Sequence, residues 1–219
     1  MADPNVDRAS KLDCASLSDA MDRLGIPGQC LGIKPLDHKF RLTGRACTLL
    51  YTPIGVPMGN VGDFIDDVPA GSVIVIDNGG REDATIWGDI LTFCAHKRGV
   101  AGTVIDGVCR DTALALSLNY AMYSRGYYMR TGKDRVQLEA MQVPVTIGHV
   151  RVTPGDLLRG DSDGVVVIPR ARENEILDTA EGIERAEARI RELVGSGLTL
   201  REAREKQNYH TLQRRKEDG

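Results

Sequence analysis

Two short apolar runs, Val73-Ile74-Val75-Ile76 and Gly102-Thr103-Val104-Ile105-Asp106, flank a stretch of helical periodicity, and that order constrains the fold more than any other feature. Consecutive β-branched residues in so short a run suit a strand covered on both faces better than an isolated helix. The first run ends in Asp77-Asn78-Gly79-Gly80, where the glycines permit a sharp turn. Between Asp89 and Arg98, the side chains of Ile90, Phe93 and Cys94 and the stem of Lys97 recur at three- and four-residue spacing, and Gly99 permits an exit. Strand, turn, helix and strand within 35 residues (72–106) predict a βαβ unit, because parallel neighbours need a crossover of this kind. The expected class is therefore α/β.

The remaining segments fit around that unit. Leu17, Met21 and Leu24 share one face of a helix over 16–24, with Ser16 as the expected cap and Asp19 at the capping-box position, and Gly25 and Pro27 end it. A strand is predicted over Arg41–Leu50, followed by a turn-rich loop containing Pro53, Gly55, Pro57, Gly59 and Gly62. Asp111 stands where it can cap a helix bearing Leu114, Leu118 and Ala121. Short strands are expected over Val143–Val150 and Gly164–Ile168, with tight corners at Pro154-Gly155-Asp156 and Gly160-Asp161-Ser162-Asp163-Gly164. A charged helix over Arg172–Val194 carries Ile176, Leu177, Ala180, Ile183, Ala186, Ile190 and Leu193 as one stripe, and Thr199 caps a last short helix. That stripe suits the chain's own sheet or a neighbouring subunit equally.

Length bounds the organisation: 219 residues bury a full core and fit one domain, read as 12–212 with flexible termini at 1–11 and 213–219. A net charge of −3 argues against a general nucleic-acid-binding surface. No apolar run approaches the roughly 20 residues that span a bilayer, and the start lacks a secretory pattern. A soluble cytoplasmic protein is the expectation. The 5 cysteines (Cys14, Cys30, Cys47, Cys94 and Cys109) are scattered and form no metal or redox pair, although Cys109 adjoins Arg110. The 4 histidines (His38, His96, His149 and His210) are equally dispersed.

Chemistry concentrates in Asp106 and the step Arg110-Asp111, just beyond the second apolar run, where α/β sheets present polar groups to ligands. An arginine fork binds a carboxylate through paired charged hydrogen bonds, and an adjacent aspartate supplies oxygen to a divalent ion. The same residues also suit a local salt bridge and a helix cap, which would make both structural. There is no phosphate-binding GxxxxGK[ST] loop, HExxH helix or Gly-x-Ser-x-Gly elbow. Asp161 and Asp163 have the alternation of a calcium loop, but Val165, Val166 and Val167 follow where further ligands would be required.

From Asp77 through Arg110-Asp111, and again through Pro154-Gly155-Asp156 and the run Gly160 to Pro169, the chain resembles the regulator-of-ribonuclease-activity-A-like superfamily. Within it, the nearest functional theme is the class II 4-hydroxy-4-methyl-2-oxoglutarate or 4-carboxy-4-hydroxy-2-oxoadipate aldolases. Gly88-Asp89, a 20-residue spacer and Arg110-Asp111 match that pattern, whereas Leu114 stands where a further acid is usual. The resemblance implies a layered β/β/α swivelling-domain-like core with C-terminal helices. It also implies a metal-dependent lyase that cleaves 4-hydroxy-2-oxo acids to release pyruvate, with possible oxaloacetate decarboxylation; the alternative is a noncatalytic protein-binding regulator. Carried over residue by residue, Asp111 holds Mg2+ or Mn2+ directly or through water and Arg110 engages the pyruvyl group, while a water activated by the metal or held by Asp89 takes the hydroxyl proton. The substrate-binding set is Gly88, Asp89, Ile90, Leu91 and Arg110. Glu187 is the counterpart of a metal-site acid from an adjacent subunit of a homotrimer or dimer of trimers.

Overall fold

A computed structural model describes residues 3–209. The sequence's central βαβ unit is present as β3 (Val73–Arg81), α3 (Asp89–Lys97) and β4 (Gly102–Cys109). A second crossover follows through α4 (Thr112–Ser117) to β5 (Met122–Tyr127), and β3, β4 and β5 run parallel. Both faces of β3 and β4 are covered: Val73 to Ile76, Val104 and Ile105 have no exposed surface, which explains the unbroken apolar runs.

The strand expected at 41–50 is β2 (Leu42–Pro53), longer than its pattern indicated. It runs parallel to β3 through Ala46–Leu50 and changes antiparallel partner along its length. Its start pairs with β9 (Leu157–Gly160) and its end with β6 (Val136–Met141), and the β6 pairing shifts register between Leu50 and Tyr51. β10 (Val165–Ile168) completes a hairpin with β9, and the two-residue β1 (Lys34–Pro35) lies beside β5. The segment 143–150 does not form one strand. It divides into β7 (Val145–Ile147) and β8 (Val150–Val152), because Gly148 and His149 take φ of 52° and 72° and turn the chain into a tight hairpin. This hairpin is a small second sheet packed on β2, β3 and β4.

Period-two alternation in β9 and β10 separates two cores. Leu158, Val165 and Val167 join the main core, while Leu157, Val166 and Ile168 face the second. The second core is closed by α1 (Pro4–Ser10), α2 (Cys14–Leu24) and α5 (Glu173–Gly195). Within the segment 1–11, expected to be a flexible terminus, residues 4–10 form α1 with Ala9 fully buried. Asp3 caps α1, and Arg45 joins it to α5 through ion pairs with Asp3 at 2.7 Å and Glu173. Asp13, rather than Ser16, caps α2; Ser16 is inside the first turn and its amide donates to Asp13.

The long C-terminal helix thus covers its own chain through Ile176, Leu177, Ala180 and Ile183. α6 (Leu200–Lys206) begins at Thr199 with the reciprocal Thr199–Glu202 capping box. The tail beyond 213 and His210 lie outside the described residues. Among the described residues, no helix is long and apolar enough to cross a membrane. The fold is mixed α/β, with a central sheet of parallel and antiparallel strands and C-terminal helices.

Candidate functional site

The strand end after Cys109 and the start of α3 meet because the intervening backbone is pinned from both sides. Thr85 Oγ1 donates to the Val108 carbonyl at 2.8 Å and accepts from the Trp87 amide at 3.1 Å. Arg110 N donates to Trp87 O at 3.0 Å, while Trp87 Nε1 donates to Thr92 Oγ1 at 2.9 Å. Trp87 is buried and stacks on Tyr120 with ring centroids 6.4 Å apart. A rigid apolar base therefore sets Gly88-Asp89 beside Arg110-Asp111.

Asp111 does not cap its own helix α4. It adopts φ 56° and ψ 37°, a left-handed conformation unusual for a residue with a side chain, and makes no side-chain cap bond there. Its Oδ2 instead accepts from Asp89 N at 3.2 Å and lies 3.2 Å from Arg110 Nε. The cap reading fails because the backbone turns the carboxylate toward α3. Close approach also explains Gly88, where an added Cβ would lie 2.7 Å from Asp111 Oδ2 and 3.1 Å from Arg110 Nε.

These residues edge a cleft of about 450 Å³, lined by Gly88, Asp89, Ile90, Leu91 and Arg110 on one wall. Asp111 reaches its edge through Asp89 and Arg110. Ile90 and Phe93, which recur at helical spacing in α3, are 74% and 48% exposed, and the buried positions are Thr92 and Ala95. The helix is rotated because Thr92 bonds to Trp87 and the Gly88 carbonyl, turning that side inward. Loops carrying Asn60, Asp63, Thr131, Lys133 and Asp134 form other parts of the cleft. The glycine- and proline-rich stretch before Asp63 signalled a loop; nothing local tied Lys133 to it.

Asp106 is separate from this site. It is buried, ion-paired with Arg125 and accepts from Gly148 N at 2.9 Å, so it anchors the β7–β8 turn. Cys109 is also buried, and burial pushes its thiol up to about 11; that removes the activation suggested by neighbouring Arg110. Asp161 accepts from Cys14 N at 2.7 Å and Asp163 N at 2.9 Å, while Asp156 accepts from Thr153 N at 2.7 Å and Arg170 N at 2.9 Å. Their two motifs build corners. A second cleft between α1 and α5 contains Arg8, whose charge is engaged by Asp178 and Glu181.

Glu187 is on α5, with Tyr209 OH 3.5 Å from Oε1 and Arg191 Nη1 3.7 Å from Oε2. Neither contact joins it to the cleft. Among the described residues, no three His, Cys, Asp or Glu side chains form a metal-binding cluster. Among the described residues the Asp89 and Arg110 contacts engage Asp111 Oδ2 and not Oδ1, so this edge could offer a divalent ion one carboxylate, the rest of its shell being water and ligand oxygens. Leu114 supplies no oxygen side chain; its amide donates to Asp111 O at 3.2 Å.

Residues 14–167 match the RraA-like family described as Aldolase/RraA. Protein DlpA of Legionella pneumophila is 42% identical over 198 residues, covering 89% of this chain; the chain spans 32% of that relative's length. A "Putative 4-hydroxy-4-methyl-2-oxoglutarate aldolase" of Halalkalibacterium halodurans is 34% identical over 191 residues, covering 87% of this chain and 89% of the relative. A crystal structure of an uncharacterized protein from Pseudomonas syringae pv. tomato has a TM-score of 0.87 and 44% identity, covering 93% of this chain and 98% of that chain. With its parallel core, its Gly88-Asp89 and Arg110-Asp111 edge and a match over most of its length, the chain belongs to the Aldolase/RraA family.

Proposed function

We propose that this protein is a divalent-metal-dependent lyase that cleaves 4-hydroxy-2-oxo acids by a retro-aldol reaction and releases pyruvate. Oxaloacetate decarboxylation is a second reaction of the same site. The observation that carries this reading is the left-handed turn at Asp111, which directs its carboxylate toward the start of α3 beside Arg110.

At the start of α3 the Asp89 and Ile90 amides donate to the Asp111 and Asp89 carboxylates, and Leu91 N, which has no helical carbonyl four residues earlier, is the donor offered to the substrate carboxylate. Arg110 binds the pyruvyl end and stabilises negative charge developing on the 2-oxo oxygen. Asp111, with water, is the proposed holder of Mg2+ or Mn2+, which as a Lewis acid supplies further polarisation of the 2-oxo group. Asp89 Oδ1 accepts from Ile90 N at 2.8 Å, and its other oxygen holds the water that removes the 4-hydroxyl proton. Cleavage between C3 and C4 sends the electron pair into the pyruvyl fragment; water then returns a proton to C3. In oxaloacetate, loss of carbon dioxide supplies the same electron pair.

The proposed assembly is a trimer or dimer of trimers in which Glu187 from an adjacent copy approaches the metal position. Exposed Ile90 and Phe93 beside the cleft support burial of this face by another copy. Leu114, in place of the usual acid, favours a second reading: a noncatalytic regulator with the same fold. Incubating the protein with Mg2+ or Mn2+ and 4-hydroxy-4-methyl-2-oxoglutarate, 4-carboxy-4-hydroxy-2-oxoadipate or oxaloacetate distinguishes the two. Metal-dependent pyruvate release is expected; no product from any of the three contradicts the lyase reading.

A further inference from the structure

The cleft contains a cation remote in sequence from the Arg110-Asp111 edge. Lys133 lies in the connection from β5 to β6, while Arg110 follows β4, and both line the same cleft. Its turn is fixed by close packing: an added Cβ at buried Gly132 would lie 2.4 Å from Thr85 O and 2.8 Å from Val136 Cγ2. The amides of Arg135 and Val136 both donate to Gly132 O, at 2.9 and 3.0 Å. Lys133 N donates to Thr131 Oγ1 at 3.2 Å, while its own carbonyl accepts from Arg135 Nη1 at 3.1 Å. The backbone is therefore held in place while the ammonium group is left out of every ion pair among the described residues. Asp63 and Asp134 also line the cleft, but neither forms a salt bridge with Lys133.

We propose that Lys133 is a specificity-determining residue that receives the carboxylate at the far end of a 2-oxo dicarboxylic acid. The assignment rests on the lyase reading for the orientation of the pyruvyl end toward Arg110. An ammonium on a flexible stem reaches a distal carboxylate without demanding the fixed fork of arginine. A second opposite-charge contact then selects a dicarboxylate over a 2-oxo acid with an uncharged far end.

The test compares wild type with Lys133→Met and Lys133→Arg in Mg2+. Turnover is measured with 4-hydroxy-4-methyl-2-oxoglutarate and with 4-hydroxy-2-oxopentanoate, which lacks the distal carboxylate. Binding of 2-oxoglutarate and 2-oxopentanoate is titrated separately by calorimetry, and thermal melting checks that each variant remains folded. Lys133→Met is expected to raise the KM for the dicarboxylate and weaken 2-oxoglutarate binding by about tenfold, while values for the monocarboxylates change less than about twofold. Lys133→Arg restores part of the preference. Equal changes for both ligand classes, no change for either, or no 2-oxoglutarate preference in wild type overturns the assignment. Selective, Lys133-dependent binding without turnover supports the subsite and contradicts the lyase reading; turnover without selectivity does the reverse.

Discussion

Asp111 Oδ2 lies 3.2 Å from the amide nitrogen of Asp89, joining positions 22 residues apart at the start of a helix that Asp111 does not itself begin. Its left-handed backbone supplies the necessary turn. Replacing Asp111 with Gly relieves the left-handed backbone but removes the acceptor of Asp89 N and gives the unfolded chain more freedom, so stability is expected to change by less than about 1 kcal/mol while turnover is abolished. Chemical denaturation and pyruvate release measure the two effects; a larger loss of stability together with retained activity contradicts the account.

Gly88 tests the same relationship from the opposite side. Its φ of −145° is ordinary extended backbone, so the effect of Gly88→Ala comes from the 2.7 Å approach to Asp111 Oδ2. Displacement of the carboxylate is expected to lower kcat by about 100-fold with little change in melting temperature. Unchanged kcat would show that the close approach is not needed for chemistry.

The β3–α3–β4 unit was legible because its strands are buried on both sides and hence continuously apolar. β5 and β6 were not, since Arg125, Gln137 and Glu139 interrupt their apolar character at partly buried or exposed sheet positions. The Gly88-Asp89 and Arg110-Asp111 spacing identified the two sides of the candidate site, but the positive φ that separates a cap on α4 from a contact with the start of α3 had no signature beyond an aspartate's tolerance of it. Lys133 was hidden for a different reason. Its loop reaches the cleft through long-range contacts, the docking of Gly132 against Thr85 and the hydrogen bond from Thr85 N to Arg130 O among them.

The attachment of α1 is expected to depend on acid pH. The Arg45 hydrogen bond holds Asp3 below its usual range; burial raises Glu173, but the hydrogen bonds from Arg45 and Asn5 and the Arg45 charge outweigh it and hold it below its usual value. Because the folded values are depressed, the stabilisation is present above the unfolded values of 3.8 and 4.5 and is lost as pH falls through the lower folded values. Arg45→Ala should destabilise the protein by about 2 kcal/mol at neutral pH, with the difference shrinking at acid pH. Denaturant titrations of both proteins across that range check the sign; a difference that grows on acidification contradicts it.

Lys133 gives the proposed chemistry an additional control. Charge stabilisation by Arg110 and a metal ion needs no Schiff base, so borohydride reduction with pyruvate should leave the protein mass unchanged. A stable pyruvyl adduct on Lys133 would instead identify amine catalysis.

The most direct measurement is a crystal structure with Mn2+ and pyruvate. The account predicts an anomalous manganese peak about 2.1 Å from an Asp111 carboxylate oxygen, or one water removed from it, with pyruvate between Arg110 and the start of α3 at Leu91 N. Manganese bound away from Asp111, or pyruvate bound away from Arg110 and α3, contradicts the shared metal and pyruvyl site.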